Sequence, residues 1–246
     1  MNIWEGEFET FTQALQKSKG KGFGGKKWKD SQLQDFKICK RFYLEKKKLP
    51  LEISYRYLNF GNIIQKYFSK KKIIRILDCG GGFGLGFYYL RQNKGFDKIN
   101  YTIIENKDIV DKFKELNKNI NYKTLIKKGQ FFEIINFCSV VQYIQDWKKL
   151  IDKMSKRNIK YLYFSDMFVG NIKSFVSLQN YYESKIPHWF INFDEFNNHL
   201  YSLGYSLLKK KKMITKRLNK KTILQMNNFS KKRRIKYTLN LLYKKK

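Results

Sequence analysis

A glycine-rich segment at residues 78–84 is the part of the sequence whose residue types and spacing point most directly to chemistry. It reads Asp-Cys-Gly-Gly-Gly-Phe-Gly and lies between a β-rich run at 72–79 and a helical pattern at 85–92. Glycines at such a junction allow a tight turn and let backbone N–H groups approach a ligand closely. The dinucleotide-binding pattern Gly-x-Gly-x-x-Gly does not fit, because Leu85 stands at its third glycine position.

An acidic residue, Glu105, ends the next β-rich run, 21 residues after Gly84. At that distance a carboxylate can accept hydrogen bonds from both hydroxyls of a nucleoside ribose. The spacing Asp-x-Gly-x-Gly-x-Gly resembles motif I of class I methyltransferases that bind S-adenosylmethionine (SAM). The resemblance implies SAM as the cofactor, bound by Asp78, Gly80, Gly81, Gly82, Gly84, Glu105, Cys138 and Ser139. The alternative is a flexible turn at 80–84 with Glu105 as a solvated strand end.

Strand and helix patterns alternate through the middle of the chain. We expect strands at 72–79, 100–105, 121–126, 134–141 and 160–164, and helices at 85–92, 109–116 and 146–154. Strands that alternate with helices of this length favour βαβ units and a mostly parallel, doubly wound sheet with helices on both faces. The predicted fold class is therefore α/β, of the Rossmann-like type that class I SAM methyltransferases share.

The predicted domain organisation has three parts. They are an N-terminal strap and helical cap at 1–70, a methyltransferase core at 71–228 and a basic, loosely attached C-terminal tail at 229–246. Helical patterns at 30–47 and 51–69 supply the cap. Near the end of the core, a helix at 194–203 is followed by β-rich runs at 205–208 and 222–226, which predict a terminal hairpin.

The composition limits the possible classes of protein. The 246 residues are 42% hydrophobic, which is enough for a packed core, and no apolar stretch is long enough for a transmembrane helix. Residues 1–6 lack the basic and apolar regions of a signal peptide. Cys39, Cys79 and Cys138 are far apart and odd in number, which fits neither a zinc signature nor a disulfide framework. We expect a cytoplasmic protein that binds no metal.

The net charge of +32 comes from 52 Lys and Arg against 20 Asp and Glu. Such an excess points to nucleic acid or an anionic membrane surface as a partner. However, Arg, which makes the bidentate contacts typical of nucleic-acid readers, accounts for only 8 of the 52 basic residues. We interpret much of the charge as compositional drift on a solvated surface, with peripheral contact to anionic lipid or glycan as the other interpretation.

Further segments resemble a family of methyltransferases encoded among bacterial surface-polysaccharide and lipopolysaccharide biosynthesis genes. The resembling segments, between residue 3 and about residue 208, are Ile-Trp-Glu-Gly at 3–6 with Phe8 and Ala14, Leu-Asp-Cys-Gly-Gly-Gly-Phe-Gly at 77–84, Ile-Glu at 104–105, Ser-Val-Val-Gln-Tyr-Ile at 139–144 with Asp146, and Pro-His-Trp-Phe at 187–190. The Trp-Glu-Gly and Ser-Val-x-Gln-Tyr segments are the most specific. The resemblance implies SAM-dependent methylation of a sugar or a sugar-linked acceptor.

Three residues are candidates for the chemistry of methyl transfer, which requires acceptor and methyl group in line. His188 is either a general base for a hydroxyl acceptor or a packing residue, and the family commonly has Cys or another small residue there. Tyr143 and Asp166 follow the fourth and fifth strands, at the sheet edge where ligands bind in such folds. We expect residues 187–190 to form a loop over the cofactor. The segment that begins at Trp4 is either a lid or an anchored strap.

Two other functions stay open on the sequence alone. One is methylation of RNA, on a ribose or a base, with the basic surface holding phosphates. Residues 139–142 lack the Asn/Asp-Pro-Pro-aromatic motif of enzymes that methylate base amines. The other is a non-catalytic SAM-binding protein, which the complete glycine segment and Glu105 argue against. The favoured interpretation is O-methylation of a sugar or glycan-linked acceptor in surface-polysaccharide biosynthesis.

Overall fold

The computed structural model describes residues 2–157, 159–213, 216–217, 220–221 and 224–246. The helices are α1 (Phe11–Gln16), α2 (Lys26–Leu44), α3 (Leu51–Ser54), α4 (Leu58–Phe68), α5 (Leu85–Lys94), α6 (Lys107–Phe113), α7 (Trp147–Ser155) and α8 (Phe193–Ser202). None of the helices in these ranges is long and apolar enough to cross a membrane.

The strands fall into three sheets. They are β1 (Trp4–Phe8), β2 (Ile74–Cys79), β3 (Ile99–Ile104), β4 (Asn121–Lys123), β5 (Ile134–Cys138), β6 (Tyr161–Met167), β7 (Val169–Gly170), β8 (Phe175–Tyr181), β9 (Ser184–Asn192), β10 (Tyr205–Lys212), β11 (Lys216–Arg217), β12 (Lys220–Lys221) and β13 (Leu239–Lys245). Among the strands of the described residues, the short β11 and β12 pair with each other and with no other strand.

The main sheet has seven strands in the order β10-β13-β6-β5-β2-β3-β4. Strands β2 to β6 run parallel, and β13 is antiparallel to both of its neighbours. The chain proceeds outward from β2 in one direction through β3 and β4, and then in the other through β5 and β6. The loops that follow β2 and β5 therefore diverge and open a crevice at the carboxyl edge, where ligands bind in such sheets. The predicted α/β fold is confirmed.

Helices cover both faces of this sheet because its strands carry apolar residues on both sides. On one face, Phe36 of α2, Phe60 of α4 and Phe113 of α6 pack in a single cluster with Ile76 of β2. On the other face, helices α7 and α8 pack in a second cluster with the buried residues of β5, β6 and β13. Each large side chain buried in this way contributes roughly 1.5–3 kcal/mol to folding.

The Trp-Glu-Gly segment lies in a second sheet, of order β1-β8-β9-β7. Strand β1 is antiparallel to β8, and Trp4 is aligned with Gln179. The Trp4 side chain is buried against Phe168 and Phe190. This packing corresponds to the anchored strap rather than to a lid.

Residues 187–190 are not a loop, so that expectation is wrong. They lie inside β9, and Pro187 and Trp189 are aligned with Leu178 and Val176 of β8. The turn of this hairpin falls earlier, at Tyr182 and Glu183, which both have positive φ. Proline resembles a loop signal in sequence, but a strand whose pairing does not require that N–H can accommodate it.

The C-terminal segment is not a loosely attached tail, so this prediction is also wrong. Strand β13 lies between β6 and β10, and its residues Leu239, Leu241, Leu242 and Tyr243 are buried. The hairpin partner of β10 is therefore β13 and not the run at 222–226, of which residues 222 and 223 lie outside the described residues. Basic residues on both sides of 239–243 make the overall composition of this segment typical of a solvated tail, although most of residues 239–243 are apolar.

Candidate functional site

The glycine segment connects β2 to α5 at the centre of the carboxyl edge. Gly80, Gly82 and Gly84 have φ angles of 68°, 54° and 97°, in the left-handed region that strains other residues. A Cβ atom added at Gly82 would lie 2.7 Å from Oε1 of Gln32 on α2. The backbone conformation therefore favours glycine at all three positions, and at Gly82 the side chain of Gln32 on α2 also approaches closely.

Glu105 follows β3, the strand next to β2, and its carboxylate reaches the glycine segment. Oε1 accepts a hydrogen bond of 3.3 Å from the N–H of Gly82, and Oε2 accepts one of 2.9 Å from the N–H of Asn106. Burial raises the pKa of Glu105, while these two backbone donors act in the opposite direction. The sequence-predicted pair of glycine segment and acidic residue is brought together in the fold.

Asp78 lies beneath the loop and is fully buried. Its Oδ2 accepts a hydrogen bond of 2.6 Å from the Tyr101 hydroxyl, and its Oδ1 accepts one of 2.8 Å from the Asn136 amide. Burial raises the pKa of Asp78 to about 7 against the effect of both donors. A Cβ atom at Gly81 would lie 2.7 Å from Oδ2. Asp78 therefore supports the loop from below, where it is shielded from solvent.

A polar cluster lies at the carboxyl ends of β5 and β6. The hydroxyl of Ser139 donates to Oδ2 of Asp166 at 3.0 Å, and the hydroxyl of Thr238 donates to Oδ1 at 2.8 Å. Gln142 adds a hydrogen bond of 3.1 Å from its amide to the Ser139 hydroxyl. Cys138, the last residue of β5, has a thiol whose pKa burial raises to about 11, so it stays protonated at neutral pH. The structure thus joins Ser139 and Asp166, which are predicted separately from the sequence.

Tyr143 lies beside this cluster, on the 3-10 turn that follows β5. Its hydroxyl donates a hydrogen bond of 2.8 Å to Oε1 of Gln179 on β8. The ring packs edge-on against Phe23 and His188, with centroid distances of 4.8 and 5.0 Å. Burial raises the pKa of the phenol, so Tyr143 remains protonated at physiological pH. It is a hydrogen-bonding and packing residue in this arrangement.

His188 lies at the centre of an aromatic cluster. It is fully buried, with ring centroids of Phe168 and Trp4 at 4.5 and 4.6 Å. Burial lowers the pKa of His188 to about 3, so the ring is neutral at physiological pH. Neither ring nitrogen has a hydrogen-bond partner among the side chains and backbone that the structure describes. These contacts correspond to the packing alternative predicted for His188.

No protein-family model matches the sequence, and no curated protein sequence matches it. Among solved structures, the fold is similar to that of 1,6-didemethyltoxoflavin-N1-methyltransferase from Burkholderia thailandensis, with a TM-score of 0.53 and 8% identity over 88% of this chain and 86% of that chain. It is also similar to that of an amino pentose methyltransferase from Micromonospora echinaspora, with a TM-score of 0.51 and 8% identity over 78% of this chain and 91% of that chain. The chain has the fold of class I SAM-dependent methyltransferases.

Within this methyltransferase fold, Arg56 is a charged residue at the carboxyl edge that sequence reasoning missed. It lies on the 3-10 turn Tyr55–Tyr57, is exposed, and donates a hydrogen bond of 3.2 Å from Nε to the Tyr55 hydroxyl. Desolvation acts to lower the pKa of Arg56, but Asp166, Tyr55 and Cys138 together outweigh this effect, so the pKa is raised. It forms no ion pair with any carboxylate of the described residues. In the sequence, Arg56 stands out only as one residue of the helical pattern predicted at 51–69, with no motif around it.

Proposed function

We propose that the chain is a SAM-dependent methyltransferase. The observation that carries this proposal is the contact between Glu105 and the N–H of Gly82, at 3.3 Å. This contact supports the proposal, because a carboxylate beside a left-handed glycine segment at the crevice of a parallel sheet is suited to accept hydrogen bonds from ribose hydroxyls. The Burkholderia and Micromonospora proteins of the same fold were solved with S-adenosylhomocysteine (SAH) and with SAM, respectively.

The residues around the crevice fit this cofactor. Backbone N–H groups of residues 80–84 can approach it closely because no Cβ intervenes at the alternate glycines. When bound, SAM supplies an activated methyl group on a sulfonium. Glu105 would hold the ribose, while Cys138 and Ser139 at the end of β5 border the same crevice. Asp78 acts indirectly, as a positioning residue beneath the loop.

For the acceptor side we propose Asp166, Tyr143 and Arg56. Asp166 is fixed by hydroxyl donors on both oxygens, and its remaining lone pairs can accept the proton of an acceptor hydroxyl. The exposed Arg56 supplies a positive charge on the cap side of the carboxylate. Tyr143 orients the acceptor by packing. His188 supports Tyr143 from behind, because its neutral and enclosed ring is poorly suited to remove a proton.

We propose further that the acceptor is a sugar or a glycan-linked hydroxyl of surface-polysaccharide biosynthesis, methylated on oxygen in the cytoplasm. Two observations support this. The segments at 3–6, 139–144 and 187–190 resemble the polysaccharide-associated family, and the Micromonospora protein of the same fold is an amino pentose methyltransferase. The three cysteines are free thiols, as in proteins of a reducing compartment.

Calorimetric titration with SAH tests the cofactor assignment. We expect saturable binding by the full chain and a loss of binding in Gly82→Ala, whose Cβ would crowd the loop and Gln32. Gly129→Ala is the matched control, because Gly129 also has positive φ, 85°, but no neighbouring atom within 4 Å of the added Cβ. Absence of heat with both SAH and SAM for a folded sample would refute the cofactor assignment.

Transfer of a labelled methyl group from SAM tests the acceptor. Sugar nucleotides and oligosaccharides should accept label, and Asp166→Asn should lower the turnover number more than it changes the Michaelis constant. Label on RNA but on no sugar would replace the glycan assignment with RNA methylation. SAH binding without transfer to either class would favour a non-catalytic SAM-binding protein.

A further inference from the structure

A second site is formed by an open groove of about 390 Å³ on the main sheet, away from the glycine segment. The groove, here called the edge groove, is lined by Arg75, Asn100, Thr102, Asn121, Lys123, Gln130, Phe131 and Phe132. Its volume falls in the range of small-molecule sites, roughly 300–1,000 Å³. Most of its lining side chains come from β2, β3 and β4 at the end of the sheet.

The edge groove exists because one face of the sheet is left uncovered there. Parallel sheets normally have both faces covered by helices, but the connection between β4 and β5, residues 124–133, contains no helix. The register aligns Arg75 with Asn100 and Thr102 with Asn121, so these four polar residues share one face. A polar face of this kind is suited to a polar ligand rather than to a packed helix.

Two amide side chains in the edge groove, those of Asn100 and Asn121, are hydrogen-bonded to each other. The Nδ2 atom of Asn121 donates a hydrogen bond of 3.0 Å to Oδ1 of Asn100. Within the described part of the chain, this contact leaves Nδ2 of Asn100 and Oδ1 of Asn121 without partners. A free donor beside a free acceptor complements the hydrogen-bonding edge of a nucleobase, which asparagine amides commonly bind.

A partly exposed aromatic ring, that of Phe131, lines the edge groove together with these amides. Phe131 is 53% exposed, an unusual position for a large apolar ring in a polar groove. The guanidinium of Arg75 lies 6.0 Å from the ring centroid. An exposed ring of this kind offers a stacking surface for a base.

The electrostatics of the edge groove favour an anion. Lys123 is exposed and forms no ion pair with any carboxylate in the described ranges. The one carboxylate nearby, Glu133, has its Oε1 atom 3.5 Å from Arg75 and 3.7 Å from Lys71, so its charge is matched by two cations. Lysine and arginine in such a setting bind phosphate.

We propose that the edge groove binds a nucleotide. The base stacks on Phe131 and meets the free donor and acceptor of Asn100 and Asn121, while the phosphate lies near Lys123 and Arg75. The backbone N–H of Glu105 donates a hydrogen bond of 3.0 Å to the backbone carbonyl of Lys123. One end of the edge groove therefore lies next to Glu105, which we propose to bind the ribose of SAM. Its lining nonetheless shares no residue with the glycine segment, so the proposal does not depend on methyl transfer.

Titration of the full chain with UMP and with AMP, each in the presence of saturating SAH, tests the proposal. SAH keeps adenosine compounds from the glycine segment, and UMP has no adenine to bind there. We expect saturable binding of at least one nucleotide. Phe131→Ala should weaken it by roughly 5–100-fold through loss of stacking, and Lys123→Met by about 10-fold through loss of a phosphate contact.

Lys128→Met is the matched control for Lys123→Met. Lys128 is exposed on the connection between β4 and β5, which also carries Phe131, but it does not line the edge groove. It should leave the affinity unchanged. Lys123→Met retains the test if Phe131→Ala fails to fold, since Lys123 is exposed. The proposal is overturned if neither nucleotide gives saturable binding, if inorganic phosphate binds as tightly as UMP, or if Lys128→Met weakens binding as much as Lys123→Met. Nucleotide binding without SAH binding would refute the cofactor assignment and leave the edge groove standing.

Discussion

The hydroxyl of Ser139 donates a hydrogen bond of 3.0 Å to Asp166, and both residues have left-handed backbones, with φ of 56° and 55°. Such a conformation costs a non-glycine residue roughly 1–2 kcal/mol. Ser139 follows β5 directly, and Asp166 lies near the carboxyl end of the neighbouring parallel strand β6, in which Ser165 is aligned with Cys138. Backbone strain of this kind concentrates at functional sites, where surrounding contacts hold it in place. Here the hydroxyl of Thr238 and the amide of Gln142 provide those contacts.

Two substitutions of Ser139 should separate the contribution of its hydrogen bonds to the free energy of unfolding from the contribution of its backbone strain. Ser139→Ala loses the contacts to Asp166 and Gln142, and we expect a loss of about 1–2 kcal/mol in the free energy of unfolding. Ser139→Gly loses the same contacts but relieves the left-handed strain, so it should be the more stable of the two by up to about 1 kcal/mol. Urea denaturation measures both. An alanine variant as stable as the glycine variant would contradict the strain argument.

Removal of the Glu105 carboxylate should weaken cofactor binding. Glu105→Ala removes the contact to the Gly82 N–H and the proposed charge-assisted hydrogen bonds to the ribose, so we expect about 10–100-fold weaker binding of SAH by calorimetry. Glu115→Ala is the matched control, since Glu115 is an exposed glutamate whose side chain makes no hydrogen bond to the glycine segment in the described structure. Equal affinities for the wild type and Glu105→Ala would show that Glu105 does not hold the ribose.

The buried Asp78 should make stability depend on pH. Its pKa of about 7 in the folded chain exceeds the value of about 3.9 in an unfolded chain. Between these values the folded state retains a proton that the unfolded state has released. The contribution of Asp78 to the free energy of unfolding is therefore fully present below about pH 4. It falls as the pH rises to 7, by at most about 1.4 kcal/mol per pH unit.

Asp78→Asn removes this titration and isolates it from other carboxyl groups. We expect the difference in unfolding free energy between the wild type and Asp78→Asn to shift in favour of the variant as the pH is raised from 5 to 7.5. Urea denaturation of both proteins at the two pH values gives the difference. A difference that stays constant with pH would mean that Asp78 is ionised throughout.

Replacement of His188 should leave the fold intact. His188→Leu removes two buried nitrogens that lack partners in the described structure and keeps an apolar side chain among Trp4, Phe168 and Tyr143. We expect the free energy of unfolding to be unchanged or higher, by up to about 1–3 kcal/mol, with unchanged SAH affinity. A variant that folds but loses the acid limb of the pH–rate profile, where the rate rises as a base loses its proton, would restore His188 as the general base.

The C-terminal strand should contribute strongly to stability. Leu241 is fully buried between β6 and β10, so Leu241→Ala should lower the free energy of unfolding by about 2–5 kcal/mol. Lys244→Ala, on the same strand but exposed, should change it by less than about 0.5 kcal/mol. Thermal and urea denaturation measure both. If both substitutions changed the free energy of unfolding by the same small amount, the segment would be a loosely attached tail after all.

The central part of the fold could be predicted because its signals are local. Alternating apolar patterns indicated the strands from β2 to β6, and the helices α5, α6 and α7 followed from periodicity. The proximity of the glycine segment and Glu105 could also be predicted from the sequence. Parallel strands that are adjacent in the chain bring their carboxyl ends to the same edge, which fixes the two features near one another.

Tyr143 and Asp166 of the proposed acceptor side were candidates from the sequence, but their contacts could not be predicted, because these join residues far apart in the chain. Thr238 and Asp166 are 72 residues apart, and the segment of Thr238 had the composition of a tail. Arg56 carried no motif, and it becomes a candidate only because its turn lies where its charge interacts with that of Asp166. The sequence left His188 as either a general base or a packing residue, and its burial among aromatic rings favours packing.

The sequence by itself determined the α/β class, the SAM-type glycine segment and the acidic residue Glu105, because each depends on short-range spacing or on adjacent strands. Only the tertiary structure decided that β13 completes the main sheet, that Ser139 and Asp166 form one polar cluster, and that β2, β3 and β4 expose the edge groove. The physical reason is burial. Whether a lysine-flanked strand, a histidine or a polar sheet face is covered depends on distant segments that local sequence does not specify.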